Sequence, residues 1–159
     1  MISKKMLEAI NDQINAEMYS SYLYLSMGAW FESENLKGFG NWMRVHAQEE
    51  NFHAMKFFDY VLARGGKIAL KTIDAPPAKW KSPLDAFEEV FKHEQEVTSL
   101  IYKLAEIAQA EKDYATSVLL QWFITEQVEE EANADELIQK LKLMGDAKEI
   151  GRASCRERV

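Results

Sequence analysis

Glu50 and His53 interrupt an apolar helical stripe, and that interruption constrains what the chain can fold into more than any other feature. Phe39, Met43, His46, Glu50, His53, Phe57, Tyr60 and Arg64 follow one another at steps of three and four, the spacing of a single helix face. Two potential metal ligands, a carboxylate and an imidazole, therefore project side by side from a face that is otherwise mostly apolar. An isolated Glu-x-x-His pair is weak evidence, because such pairs arise often on solvated faces. Three other segments, however, each carry a carboxylate in their own stripe. Glu17 lies in the line Leu7, Ile10, Ile14, Glu17, Ser21, Tyr24, Gly28, Phe31, and Glu94 lies in Phe87, Phe91, Glu94, Val97 (or Thr98), Ile101, Leu104, Ala108. Glu126, Gln127 and Glu130 lie between Leu119, Trp122, Phe123 and Leu137, Leu141.

The boundaries of these stripes predict four helices. Ser3 caps the first, which runs to about Phe31. Asn35 and Gly38 mark a short turn before the second, Leu36 to Arg64, which Gly65 and Gly66 stop. Ser82, with Pro83 at the first helical position, opens the third. The chain turns near Glu111, Lys112 and Asp113 without an obvious breaker, and the fourth helix runs from about Tyr114 to Met144, where Gly145 ends it. Lys67 to Ser82 contains Pro76 and Pro77; it is too broken for a helix and too long for a hairpin turn. A segment of that length can run back along a helix pair and join two helices that point the same way. The expected architecture is all-α, a four-helix bundle with one long crossover between helices 2 and 3. The polar interruptions fall near each helix middle, so an antiparallel bundle brings them to one level of the core. Four unpaired carboxylates there would each cost several kcal/mol and would repel one another. Protonation would relieve part of this, and two bound divalent cations would neutralise the cluster entirely.

Composition limits the partners. The formal net charge is -7, which disfavours nucleic acid and anionic membranes and suits a protein that attracts cations. The first residues, MISKKMLEAI, contain no apolar signal core, and no apolar run approaches the ~20 residues of a membrane span, so a cytoplasmic location is expected. Cys155 is the single cysteine, which rules out a disulfide within the chain.

Four separated stretches carry a family resemblance: NDQINAEMYSSYLYLSM (Asn11 to Met27), GFGNWMRVHAQEENFHAMKFFDY (Gly38 to Tyr60), KHEQEVT (Lys92 to Thr98) and LQWFITEQVEEEA (Leu120 to Ala132). In order and spacing they resemble the non-haem ferritins of bacteria and archaea, over about Ile2 to Lys148. The resemblance implies a ferritin-like bundle with a ferroxidase centre that oxidises Fe(II) with O₂, and storage of ferric mineral inside a homo-oligomeric shell of 24 subunits. Carried over residue by residue, Glu17 and His53 would hold one iron, Glu50 would bridge, and Glu94 with Glu130 would hold the second, with Gln127 beside it. Glu49, Glu126 and Glu129 would form a third iron site together with Glu130. Tyr24 and Trp122 would lie next to the centre, with Tyr24 as a candidate electron donor.

Departures from neighbouring families sharpen this expectation. Rubrerythrins and bacterioferritins use two Glu-x-x-His motifs, whereas the fourth stripe here offers Gln127 and Glu130 and no histidine. A second iron held mainly by carboxylate oxygens binds more weakly, which suits iron in transit. Phe52 stands where a haem-ligating methionine would be sought, and no haem is expected. Competing readings are a peroxide-scavenging or substrate-oxidising di-iron protein and a metal-buffering bundle without turnover. A DNA-protecting mini-ferritin is disfavoured, since Lys4 and Lys5 are too few for a DNA-binding arm. His46 is expected to be a buried, hydrogen-bonded histidine and not a ligand, and His93 and Glu131 are expected at the surface.

After Lys148 the text EIGRASCRERV leaves the family pattern, in which a short fifth helix follows and lines four-fold channels of the shell. Glu149 to Val159 instead resembles the conceptual translation of a short-read sequencing adapter. The expectation is a bundle over residues 1–148 with a non-native tail over 149–159, the fifth helix being missing or replaced and shell assembly correspondingly in doubt.

Overall fold

The computed structural model describes residues 1–145. The expectations for the tail and for a missing fifth helix lie outside the described residues, as do the last three residues of the expected 1–148 bundle. Four helices form: α1 (Lys4–Ser33), α2 (Lys37–Ala63), α3 (Pro83–Glu111) and α4 (Tyr114–Met144). No strand occurs among the described residues.

The caps explain the boundaries. Ser3 Oγ accepts from the Met6 amide at 3.1 Å and Ser82 Oγ from the Asp85 amide at 3.1 Å, each satisfying an amide that the first helical turn leaves without a partner. Pro83 follows Ser82 at the start of α3. The turn between α3 and α4, which carries no glycine or proline, is made by Lys112 in the left-handed region at φ 55° and by Asp113, whose Oδ1 accepts from the Thr116 amide at 3.1 Å. Arg64 reaches across from the end of α2 to bond Asp113 at 3.0 Å, which ties this turn to the α1–α2 hairpin. α1 and α2 approach closely at Gly28, where an added Cβ would lie 3.3 Å from the Gly40 carbonyl oxygen.

α1 pairs with α2 and α3 pairs with α4 as antiparallel hairpins, and α1 also packs on α3. Between α2 and α3 the chain has no regular structure over residues 66–80, and it climbs the outside of α1 rung by rung. Asn11 donates to the Lys67 carbonyl at 3.1 Å and accepts from the Ala69 amide at 3.0 Å. Asn15 donates to the Thr72 carbonyl at 3.1 Å, and Ser26 donates to the Pro77 carbonyl at 2.6 Å. From Asn11 to Ser26 is ~22 Å along the helix, so α3 starts at the far end of the bundle and runs parallel to α2. Trp80 then turns the chain inward, edge-on to Trp30 with ring centres 5.8 Å apart.

The core has two apolar halves. One contains Met27, Phe31, Phe39, Met43, Phe87 and Leu137; the other contains Met6, Ile10, Phe57, Val61, Ile101 and Phe123. Between them the same helix faces carry Glu17, His46, Glu50, His53, Glu94, Gln127 and Glu130, all buried.

Candidate metal centre

Each helix contributes to this polar layer by the same mechanism: a stripe long enough to bury its apolar ends carries one polar turn into the core with it. Glu17, Glu50 and Glu94 are each 1% exposed, His53 is 3% and Glu130 is 6%. His53 Nδ1 lies 3.3 Å from Glu50 Oε2 and 3.9 Å from Glu17 Oε2. Two sets of ligand atoms gather here, Glu17 with Glu50 and His53, and Glu50 with Glu94 and Glu130; within each set the atoms lie within 4.8 Å of one another. Glu50 belongs to both, and so occupies the position of a bridge.

The hydrogen bonds around these carboxylates leave oxygen atoms over. Gln13, one turn before Glu17 on α1, donates to Glu17 Oε1 at 2.8 Å. Tyr24 donates to Glu94 Oε1 through a short bond, and Gln127 donates to Glu94 Oε2 at 3.1 Å. Glu17 Oε2 and Glu50 Oε1 are buried without a hydrogen-bond partner among the described residues. Leaving such atoms unsatisfied is costly in a protein core. A pair of divalent cations fits this donor set: oxygen-rich, with one imidazole nitrogen, and with unused lone pairs converging.

The electrostatics report the same crowding. Burial, followed by the charges of Glu94 and Glu17, holds the Glu50 carboxyl well above its ordinary value of 4.5. Burial and then Glu130 push Glu94 up to about 8, against the lowering effect of the Tyr24 and Gln127 hydrogen bonds. The Tyr24 hydroxyl is driven well above 10.0 by its burial and by the Glu94 charge. Without cations, burial and mutual repulsion therefore favour the protonated forms of Glu50 and Glu94, and entering cations must displace those protons.

His53 is fixed edge-on by Trp122 and Phe123, at 5.4 and 5.9 Å between ring centres, and Lys56 Nζ sits 3.5 Å above the Trp122 ring. An open cleft of about 550 Å³ reaches this side of the centre, lined by Glu49, Phe52, His53, Trp122, Glu126, Glu129 and Glu130. Glu49, Glu126 and Glu129 thus share the cleft. The ligand set that Glu49 joins within 4.8 Å is completed by His46 and Glu130, while Glu126 and Glu129 stand along the opening. Burial and then the Glu129 charge hold the Glu126 carboxyl above its ordinary range.

A Ferritin-like domain model matches residues 7–144, so it spans all four helices and every residue of the polar layer. The chain belongs to the prokaryotic non-haem ferritins. It is 50% identical over 147 residues to the bacterial non-heme ferritin of Bacteroides fragilis (strain 638R), with 92% of each chain covered. Against that of Staphylococcus haemolyticus it is 43% identical over 146 residues, covering 92% of this chain and 88% of the relative. Among solved structures it resembles an open-pore ferritin from Archaeoglobus fulgidus, with 53% identity, a TM-score of 0.94, and 97% of this chain and 96% of that one covered. It also resembles a humanized archaeal ferritin, with 53% identity, a TM-score of 0.95 and 98% of each chain covered.

Two residues of this ferritin are placed differently from expectation. His93 lies about 100° around α3 from Glu94, yet it is half-buried: its Nε2 is 2.7 Å from the Ser20 hydroxyl, and its ring packs edge-on against Tyr24 at 5.9 Å. The packing of α1 on α3 covers this flank, and burial lowers the His93 pKa. Glu131 is likewise half-buried and accepts from Thr98 at 3.0 Å, because α4 lies against α3. Gln13 went unnoticed in the sequence, although its position four residues before Glu17 is the spacing that brings helical side chains into contact.

Proposed function

We propose that this ferritin oxidises Fe(II) with O₂ at a dinuclear centre and stores the ferric product inside an oligomeric shell in the cytoplasm. The observation that carries the reading is Glu50: a buried carboxylate common to two ligand sets, with an oxygen left without a hydrogen-bond partner among the described residues. Glu17 and His53 take one Fe(II), Glu94 and Glu130 the other, and Glu50 both. Iron is here the substrate and passes through.

The residues divide the work. Hard carboxylate oxygens favour Fe(III) over Fe(II), so the donor set lowers the cost of losing an electron from each ion. Two Fe(II) together supply the two electrons that take O₂ to the level of hydrogen peroxide. Protons leave Glu50 and Glu94 as cations enter, and the carboxylates then offset the positive charge. Gln127 and Tyr24 hold Glu94 in place through its two oxygens, and Tyr24 is a candidate donor of a further electron. Trp122 and Phe123 fix the His53 ring so that Nδ1 faces the carboxylates. The acidic cleft of Glu49, Glu126 and Glu129 forms the approach, attracting Fe(II) by its charge. Homologous proteins named non-heme ferritins support the storage role, and the absence of a second histidine on α4 suits release of the oxidised pair.

The test is aerobic addition of Fe(II) to purified protein, followed by size separation with protein and iron recorded together. Oxidation faster than in buffer, with iron co-migrating with a large particle, is expected. His53→Ala should slow the oxidation by at least about 100-fold, in line with the loss of a metal ligand. Oxidation no faster than in buffer, or unchanged in His53→Ala, refutes the ferroxidase reading.

A further inference from the structure

On the α1–α3 side of the bundle the rings of Tyr24, His93 and Tyr19 form a line from the centre to the surface, and the dinuclear reading uses only the first of them. Tyr24 is buried and donates to Glu94 Oε1. Its ring meets the His93 ring edge-on with centres 5.9 Å apart, and His93 meets Tyr19 at the same 5.9 Å, tilted by 58°. Such separations belong to rings in contact. Ser20 holds His93 in this place. The Ser20 hydroxyl donates its one hydrogen to the Ala16 carbonyl at 3.0 Å, so at 2.7 Å it accepts from His93 Nε2–H. Tyr19 is half-buried and, with His93, lines an open groove of about 520 Å³ between α1 and α3. The line therefore starts at a candidate ligand carboxylate and ends where water reaches.

The charges along the line favour its outer end. Glu89, Asp74 and Glu96 place negative charge near the Tyr19 hydroxyl, and such charge eases the loss of an electron from a nearby ring. On the other flank Trp122 lies edge-on to His53, but Lys56 Nζ sits 3.5 Å over its ring. A cation in that place is attracted to the neutral indole and repels the radical cation that an oxidised indole becomes. We propose that Tyr19 is the terminal electron donor of a path that runs through His93 to Tyr24, and that Lys56 closes the alternative through Trp122. The inference rests on the reading of Tyr24 as an electron donor. Once Tyr24 has given an electron to the partly reduced oxygen, its phenolic proton passing to Glu94, it is a neutral radical. Tyr19 then transfers one electron to it. The proton returns from Glu94 to restore the Tyr24 hydroxyl, and the Tyr19 proton leaves for the water and carboxylates of the groove. The radical now stands on Tyr19, where a one-electron donor of the hydroquinone class can reach it from solution. That donor supplies one electron and one proton and restores the phenol. His93 is a positioning residue, whose ring closes the gap between the two phenols without being oxidised itself.

The test mixes full-length protein with Fe(II) and O₂, freezes it at successive times and reads protein radicals by electron paramagnetic resonance, with Fe(II) oxidation followed in parallel. Radicals on Tyr24 and Tyr19 are told apart by the splitting from their β-hydrogens. In wild type the radical should pass from Tyr24 to Tyr19, and added hydroquinone should then remove it. Tyr19→Phe keeps the ring and takes away only the hydroxyl. There the radical should stay on Tyr24 and last at least about tenfold longer, with hydroquinone no longer shortening its life. His93→Gln should lengthen it in the same way by opening the gap, and His93→Phe, which fills the gap again, should restore transfer. Lys56→Met should bring out a second radical on Trp122, which Lys56→Arg suppresses. A radical of the same position and lifetime in wild type and Tyr19→Phe overturns the path and leaves the ferroxidase reading in place. Rapid Fe(II) oxidation with no protein radical does the same. Fe(II) oxidised no faster than in buffer, again with no radical, removes both. An unchanged lifetime in His93→Gln overturns the role of His93, and a Trp122 radical already present in wild type overturns that of Lys56.

Discussion

Replacing Glu50 with glutamine should make the metal-free protein more stable and the metal-loaded protein less so. Glu50 is 1% exposed, and its folded-state pKa is raised far above 4.5 by burial and by Glu94 and Glu17. A carboxyl raised in this way contributes its full stability only below its unfolded value and loses it as pH climbs toward the folded value. Keeping it protonated costs about 1.4 kcal/mol for each pH unit between 4.5 and the folded value, so the cost is small at roughly pH 5 and grows toward neutrality. Glutamine has nearly the same shape and carries no such cost. Its amide can donate toward Glu17, whose Oε2 has no partner. Denaturation of chelator-treated protein at one fixed protein concentration should therefore show Glu50→Gln ahead of wild type near neutrality, by up to about 1.4 kcal/mol per pH unit above 4.5, the gap closing toward pH 5. Saturating Zn(II) should reverse the order, since ligand at ~1,000 times its Kd adds about 4.1 kcal/mol to a protein that binds it. A variant that is less stable at both pH values, or a gap that does not depend on pH, would show that Glu50 carries no such strain.

Two further substitutions separate chemistry from scaffold. Tyr24→Phe removes a hydrogen bond that lowers the Glu94 pKa, so Glu94 should rise above about 8 and the acidic limb of the Fe(II) oxidation rate should move up by about one pH unit, as expected for a bond to a charged group worth about 1.5–3 kcal/mol; an unmoved limb refutes the assignment. Asn11→Ala cuts two rungs of the crossover and should cost about 1–3 kcal/mol. Limited proteolysis within residues 67–82 should quicken while Fe(II) oxidation stays unchanged, and a loss of oxidation would mean that the crossover shapes the centre.

The periodic part of the molecule was readable in advance. Glu17, Glu50, His53, Glu94, Gln127 and Glu130 sit on stripes whose apolar members fix which face is buried, so their convergence follows from helix geometry and the antiparallel arrangement alone. What escaped depends on contacts between elements that periodicity does not encode. His93 and Glu131 lie off their stripes and are covered only because α1 and α4 pack where they do. Asn11 and Asn15 look like ordinary helix residues until the crossover is laid along α1. His46 was recognisable as buried, but not its partner: the ring stacks on Trp42 and is bonded to that residue's carbonyl. The α3–α4 turn shows a related gap, since Asp113 is a good capping residue that no glycine or proline announced.

The split core bears on how the protein survives its own work. Under the proposed function its central layer would gain and lose several units of charge as iron enters and leaves, a load on any core held together only at that level. Here both ends of every helix are anchored in apolar packing above and below, as abutments hold a span. Such electrostatic swings would fall on the side chains of the layer, while the apolar packing on either side holds the backbone. By the same arrangement, exchanging one carboxylate or imidazole of the layer leaves the two apolar halves untouched.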